Sequence, residues 1–160
     1  METGSQRDGR GAPGAPAEAA WRRALRLLAA HDRSTHEINA RLDAAGVAPE
    51  IIATTIRRLK ELNYLDDERL ARTVAEAVAR RGHGSERVRT GLAAKGVAEP
   101  LVDAAIAAAF ADESALARHV LARRFPTPPQ SARERAKAAR FLLQRGFPEA
   151  VVLAILGEGC

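Results

Sequence analysis

The sequence predicts an all-α protein made of three tandem three-helix repeats, about nine helices in all. Three observations carry that prediction. Ala, Leu, Arg and Glu are abundant in the 160 residues and all four favour helix, whereas aromatics make up only 4%. No long period-2 run of β-branched residues is present, so a sheet is not indicated. Three windows starting at residues 41, 91 and 141 superpose without a gap: RLDAAGVAPEIIATTI, GLAAKGVAEPLVDAAI and FLLQRGFPEAVVLAIL. A helical sequence that repeats over a few tens of residues is a stacked array of supersecondary units.

The matched positions have physical roles. Leu42, Leu92 and Leu142 end an apolar-periodic helix, and Gly46, Gly96 and Gly146 follow it. That is the C′ position, where a left-handed backbone favours residues without a Cβ. The next residue, Val47, Val97 or Phe147, suits the apolar contact of a Schellman cap. Pro49, Pro100 and Pro148 then suit the first turn of another helix, because the missing N–H has no intrahelical partner there. Each window therefore reads as helix, tight turn, helix, a helix-turn-helix-like unit.

A leading helix precedes each pair. The first runs from Glu18 to Ala30 with Trp21, Leu25 and Leu28 on one stripe. The second runs from Asp67 to Arg81 with Leu70, Val74 and Val78, and the third from Glu113 to Arg124 with Leu116, Val120 and Leu121. Asp66 and Asp112 stand at the N-cap positions of the second and third. Ser34 with Glu37, and Ser131 with Glu134, have capping-box spacing, whereas Gly84-Ser85 is a weaker cap. The last helix of each repeat is expected over Pro49–Leu62, Glu99–Phe110 and Pro148–Leu156. Residues 1–17, rich in Gly, Ala and Pro, read as a disordered tail. The organisation is then 1–17 tail, 18–65 first repeat, 66–111 second and 112–157 third, with one long breaker from Phe125 to Ser131.

Chemistry is harder to find. His31, His36, His83 and His119 match no metal-binding pattern, and Cys160 is the only cysteine. No GxSxG or P-loop motif is present, and Gly82-His83-Gly84 reads as a helix–helix turn. No enzyme, metal or cofactor is expected. A lone thiol fits a reducing compartment, no apolar stretch is long enough for a membrane span, and the first residues lack a signal-peptide core. The expected location is the cytoplasm.

Charge is more informative. The net charge is +5, and of 25 basic residues only Lys60, Lys95 and Lys137 are lysines. Guanidinium groups pair well with phosphates and carboxylates, so an anionic partner is expected. The charge is also uneven. Residues 114–145 hold Arg118, Arg123, Arg124, Arg133, Arg135, Lys137, Arg140 and Arg145 against Glu134 alone, whereas residues 96–113 carry four acids and no base. Arg133, Lys137 and Arg140 share one helical stripe, beside an apolar stripe read as Ala132, Ala136, Ala139 and Leu143. A smaller basic set is Arg80, Arg81, Arg87, Arg89 and Lys95. Tyr64, Phe125, Phe141 and Phe147 read as core or cap residues, which argues against a dedicated single-strand stacking platform. The last helices of the second and third repeats lack basic residues, which argues against three groove-reading helices.

An ordered set of segments then resembles one known family. It comprises Ala24-Leu25-Arg26-Leu27-Leu28, Ser34-x-x-Glu37-x-x-x-x-Leu42, and Leu59-x-x-Leu62-Asn63-Tyr64-Leu65-Asp66-Asp67-Glu68-Arg69-Leu70-Ala71. Arg80-Arg81-Gly82-x-Gly84, Leu92-x-x-Lys95-Gly96-Val97 and Ala139-Arg140-Phe141-Leu142-x-x-Arg145-Gly146-Phe147 continue it. Over about residues 20–157 the chain is similar to the RecX regulators of the bacterial RecA recombinase. It departs at Leu70, where the family usually has Phe, near Ser85, where it has Pro, and at Gly91, where it has a better helix former.

The resemblance implies an elongated, curved array that binds the groove of the RecA–DNA filament. There it would inhibit ATPase, strand exchange and co-protease activity, in DNA repair and the SOS response. It implies contact with the DNA backbone in the filament and a monomer, and allows weak non-specific binding to free DNA. The candidate partner-binding residues are Arg118, Arg123, Arg124, Arg133, Lys137, Arg140, Arg80, Arg81, Arg87, Arg89 and Lys95. The alternative is a stand-alone DNA-binding protein with tandem helix-turn-helix-like units.

Overall fold

The computed structural model describes residues 14–157, and within them lie nine α-helices and no strand. They are α1 (Ala15–Ala30), α2 (Thr35–Ala44), α3 (Pro49–Glu61), α4 (Asp67–Arg80), α5 (Ser85–Ala94), α6 (Glu99–Ala109), α7 (Glu113–Arg124), α8 (Ala132–Gln144) and α9 (Glu149–Leu156). Residues 1–13 of the expected tail lie outside the described residues. The expected boundary at residue 17 is corrected. α1 already begins at Ala15, because Pro16 needs no N–H in a first turn and the Ala17 and Glu18 N–H groups donate to the Gly14 carbonyl at 2.9 and 3.1 Å.

The turn chemistry holds in each repeat. Gly46, Gly96 and Gly146 have φ of 77°, 67° and 85°. The Val47, Val97 and Phe147 N–H groups donate to the carbonyls of Leu42, Leu92 and Leu142, five residues back, which closes a Schellman cap. At the helix starts, Asp66 accepts from the Arg69 N–H at 2.9 Å and Asp112 from the Ala115 N–H at 2.8 Å. Both capping boxes form. The Ser34 side chain accepts from the Glu37 N–H while the Glu37 carboxylate accepts from the Ser34 N–H, and Ser131 with Glu134 does the same.

Residues 14–33 and 38–65 form one compact unit. Its core is Ala24, Ile38, Leu42, Ile52, Ile56, Leu59 and Leu65, with Trp21, Leu25 and Leu28 partly buried beside it. Each buried Leu or Ile contributes about 1.5–3 kcal/mol relative to exposure. Tyr64 does not join this core. It is 54% exposed and meets Trp21 edge-on, because Asn63 at φ 57° turns the chain so that Leu65, not Tyr64, enters the interior.

Residues 34–37 and 66–157 form the second unit, which has two apolar cores. One gathers Leu70, Ala71, Val88, Leu92, Val97, Val102 and Phe110, the other Ala117, Leu121, Ala138, Leu142, Phe147 and Val152. The buried positions of α8 are Ala138 and Leu142, with Phe141 partly buried. The stripe read as Ala132, Ala136, Ala139 and Leu143 is therefore off by about one position: Leu143 is 47% exposed, because the cap at Gly146 points Leu142 inward.

Two equivalent clasps organise this unit. In the first, the start of α2 meets the start of α4 and the α5–α6 turn. The Thr35 N–H donates to the Asp67 carboxylate at 2.8 Å, the Ser34 hydroxyl donates to the Lys95 carbonyl, and the Lys95 ammonium lies 3.4 Å from the Glu37 carboxylate. In the second, the start of α5 meets the start of α7 and the α8–α9 turn. The Ser85 N–H and hydroxyl donate to the Glu113 carboxylate at 2.7 and 2.8 Å. The Gly84 and Glu86 N–H groups donate to the Arg145 and Gly146 carbonyls, both at 3.0 Å. Backbone packs so closely here that a Cβ at Gly84 would collide with Gly146 and Phe147.

Candidate functional site

The C-terminus of α4 ends in Arg80, Arg81 and Gly82, the last at φ 72°. Opposite it lies one face of α7, where helical spacing puts Leu116, His119, Val120, Arg123 and Arg124 together. Phe141 and Arg145 of the α8 end close the third side. These residues line a cleft of about 570 Å³ with five guanidinium groups, a floor of Leu116, Val120 and Phe141, and no carboxylate.

Arg145 is fixed in place. Its guanidinium donates to the Gly82 carbonyl at 3.1 Å and lies over the Phe141 ring, 5.1 Å from its centroid. Phe141 in turn meets Phe125 edge-to-face at 5.6 Å. Next to the cleft, burial first, and then the charges of Arg87, Arg145 and Arg81, hold His83 below its ordinary range. An Arg87 guanidinium nitrogen lies 3.0 Å from His83 Nδ1, which suits a neutral ring accepting a hydrogen bond.

The sequence-predicted candidates separate into groups. Arg80, Arg81, Arg123 and Arg124 converge on the cleft. Arg133, Lys137 and Arg140 line a neighbouring hollow of about 640 Å³ with Ser131, Glu134 and Ala136. Arg118 faces a third hollow beside Phe125 and Pro128. Arg87 serves His83. Arg89 donates to the Asp103 carboxylate at 2.8 Å, which raises its pKa further, and Lys95 belongs to the first clasp. Those two charges are already engaged within the chain.

Sequence reasoning left Arg145, His119 and Phe141 out of the candidate set. The Phe141–Arg145 spacing of four residues was the available signal, since it stacks the two on one helix face. Among the described residues no group of three or more His, Cys, Asp or Glu side chains could hold a metal ion, and no helix is long and apolar enough to cross a membrane.

Family models match the three repeats in order. RecX first, second and third three-helix domains match residues 20–59, 66–106 and 111–156. The chain belongs to the RecX family. Relatives named "Regulatory protein RecX" include one from Chromohalobacter salexigens, 39% identical over 124 residues, covering 78% of this chain and 82% of the relative. Another, from Halorhodospira halophila, is 35% identical over 135 residues and covers 84% of each chain. A crystal structure of RecX from Lactobacillus salivarius superposes with a TM-score of 0.72 at 21% identity, covering 89% of this chain and 96% of that one. That likeness shows the RecX fold. The models leave residues 60–65 and 107–110 unmatched.

Proposed function

We propose that this protein is a non-enzymatic regulator, mainly an inhibitor, of the RecA recombinase. It binds the groove of the RecA–DNA filament and restrains ATPase, strand exchange and co-protease activity in the cytoplasm, in DNA repair and the SOS response. Family membership and the regulatory name of the relatives support this reading. The observation that carries its physical side is the cleft with five arginines and no acid. Arginine recognises phosphate or carboxylate by paired donors. Regulation by such a surface is steric and electrostatic, and no bond is made or broken.

Stand-alone reading of DNA sequence is disfavoured by the third helices. The exposed residues of α6 and α9 include no Lys or Arg. Co-sedimentation with assembled RecA filaments tests the proposal. The protein should pellet with filaments on DNA, and a variant with Arg80, Arg81, Arg123 and Arg124 replaced by Glu should stay in the supernatant. Equal pelleting of both proteins would remove the cleft from the site. Equal retention on naked DNA and on filaments would favour the stand-alone reading.

A further inference from the structure

Each clasp joins the same two parts: the first turn of a middle helix, and the glycine turn after the middle helix of the following repeat, with the leading helix beside it. Three repeats supply three of each part, and two clasps consume two of each. One glycine turn and one first turn therefore remain. The unused turn is Ala45-Gly46-Val47 between α2 and α3. Among the described residues a Cβ on Gly46 would meet nothing within 4 Å, whereas at Gly96 it would run into His36 and at Gly146 it would lie 3.0 Å from Arg87. The space is a hollow of about 510 Å³ lined by Pro16, Ala20, Gly46, Val47 and Ile51, with Arg23 and Arg26 on its α1 side. The unused first turn is that of α8. Its cap Ser131 is exposed, although its counterparts Ser34 and Ser85 are 0% and 5% exposed. It carries the same Ser-x-x-Glu capping box as the docked Ser34 turn.

We propose that a second copy of this chain docks the first turn of its α8 on the Gly46 turn, so that copies join head to tail by a third clasp. The occupant follows from continuity with the two clasps inside the chain. A contact between unlike surfaces leaves a free copy of each at the ends, so it extends to chains of copies rather than stopping at a dimer. The start of α1 lacks a counterpart of Asp67 or Glu113, so the third clasp is the weakest of the three. Free copies then join only at high concentration, and copies aligned on a common surface join more readily.

Disulfide trapping in a Cys160→Ser background tests this directly. Arg133, second residue of α8, corresponds to His36 of the first clasp, so Gly46→Cys and Arg133→Cys should approach within bridging distance between copies. Mild oxidation of the double variant should give a ladder of dimers, trimers and larger species, at least about tenfold above either single variant. An equimolar mixture of the two single variants should stop at the dimer. A second pair, Ala45→Cys with Arg133→Cys, avoids the positive φ of Gly46, and circular dichroism checks that each variant is helical. With both pairs helical, the absence of a ladder, or ladders no stronger than the single variants give, overturns the proposal. The competing outcome to test is the chain's own segment Gly4-Ser5-Gln6-Arg7, whose sequence repeats the pattern of Gly84-Ser85-Glu86-Arg87. A monomeric disulfide in high yield between Ser5→Cys and Gly46→Cys would assign the hollow to that segment and overturn docking of a second copy. A ladder that survives deletion of residues 1–13 supports it.

Discussion

Three glycines separate strain from space. Gly46 and Gly96 share a left-handed backbone, but only Gly96 has a neighbour, His36, where a Cβ would stand. Gly46→Ala should therefore cost only the left-handed penalty, about 1–2 kcal/mol, and Gly96→Ala distinctly more. Equal costs in urea unfolding would mean that the His36 contact does not hold the turn. Gly91 is the reverse case: exposed, helical and with nothing within 4 Å, so Gly91→Ala should stabilise by about 1 kcal/mol. His83 gives a pH signature. Its folded pKa lies below the ordinary histidine value of about 6.5, so below that pH the unfolded chain binds a proton that the folded chain refuses. Stability from this group is complete above about pH 6.5 and is lost as pH falls toward the folded pKa. Urea midpoints measured from about pH 7.5 to about pH 5.5 should drop more for the parent than for His83→Gln. Parallel curves would show that burial and the neighbouring arginines do not hold this ring below its ordinary range.

At the scale of elements, the clasps and caps make separable contributions. Glu113→Ala removes both acceptors of Ser85 and should cost about 2 kcal/mol, because hydrogen bonds to a charged group are the stronger kind. Asp112→Ala, one residue away, loses an ordinary N-cap and should cost about 1 kcal/mol. The reverse order in thermal unfolding would mean that the clasp is not what orders the start of α5. These elements also show what the sequence discloses. Caps, glycine turns and apolar periods are local signals, so the helices were readable and α7 has the predicted bounds, Glu113–Arg124. The clasps pair residues up to 61 positions apart, such as Ser34 with Lys95, and no local pattern encodes that pairing. Tyr64 misled for a related reason: an aromatic beside Leu65 reads as core until the left-handed Asn63 shows which of the two turns inward. The cleft was half legible. The arginine pairs at 80–81 and 123–124 stood out as charge, but their convergence and the role of Arg145 depend on how α4, α7 and α8 pack.

For the molecule as a whole, the proposed function rests on uneven charge carried by a repeated fold. Binding to filaments should weaken steeply with salt, with a logarithmic slope of about −0.9 for each duplex phosphate neutralised or about −0.7 for each single-strand phosphate. The Arg80/Arg81/Arg123/Arg124 variant should show a shallower slope in the same titration, and an unchanged slope would place the phosphate contacts elsewhere. The central claim is regulation of RecA, and the DNA-dependent ATPase of RecA, titrated with this protein from substoichiometric to equimolar amounts, tests it most directly. The account predicts progressive inhibition by the parent protein and little by the four-arginine variant. ATPase that stays unchanged across the whole range with the folded parent protein would contradict it.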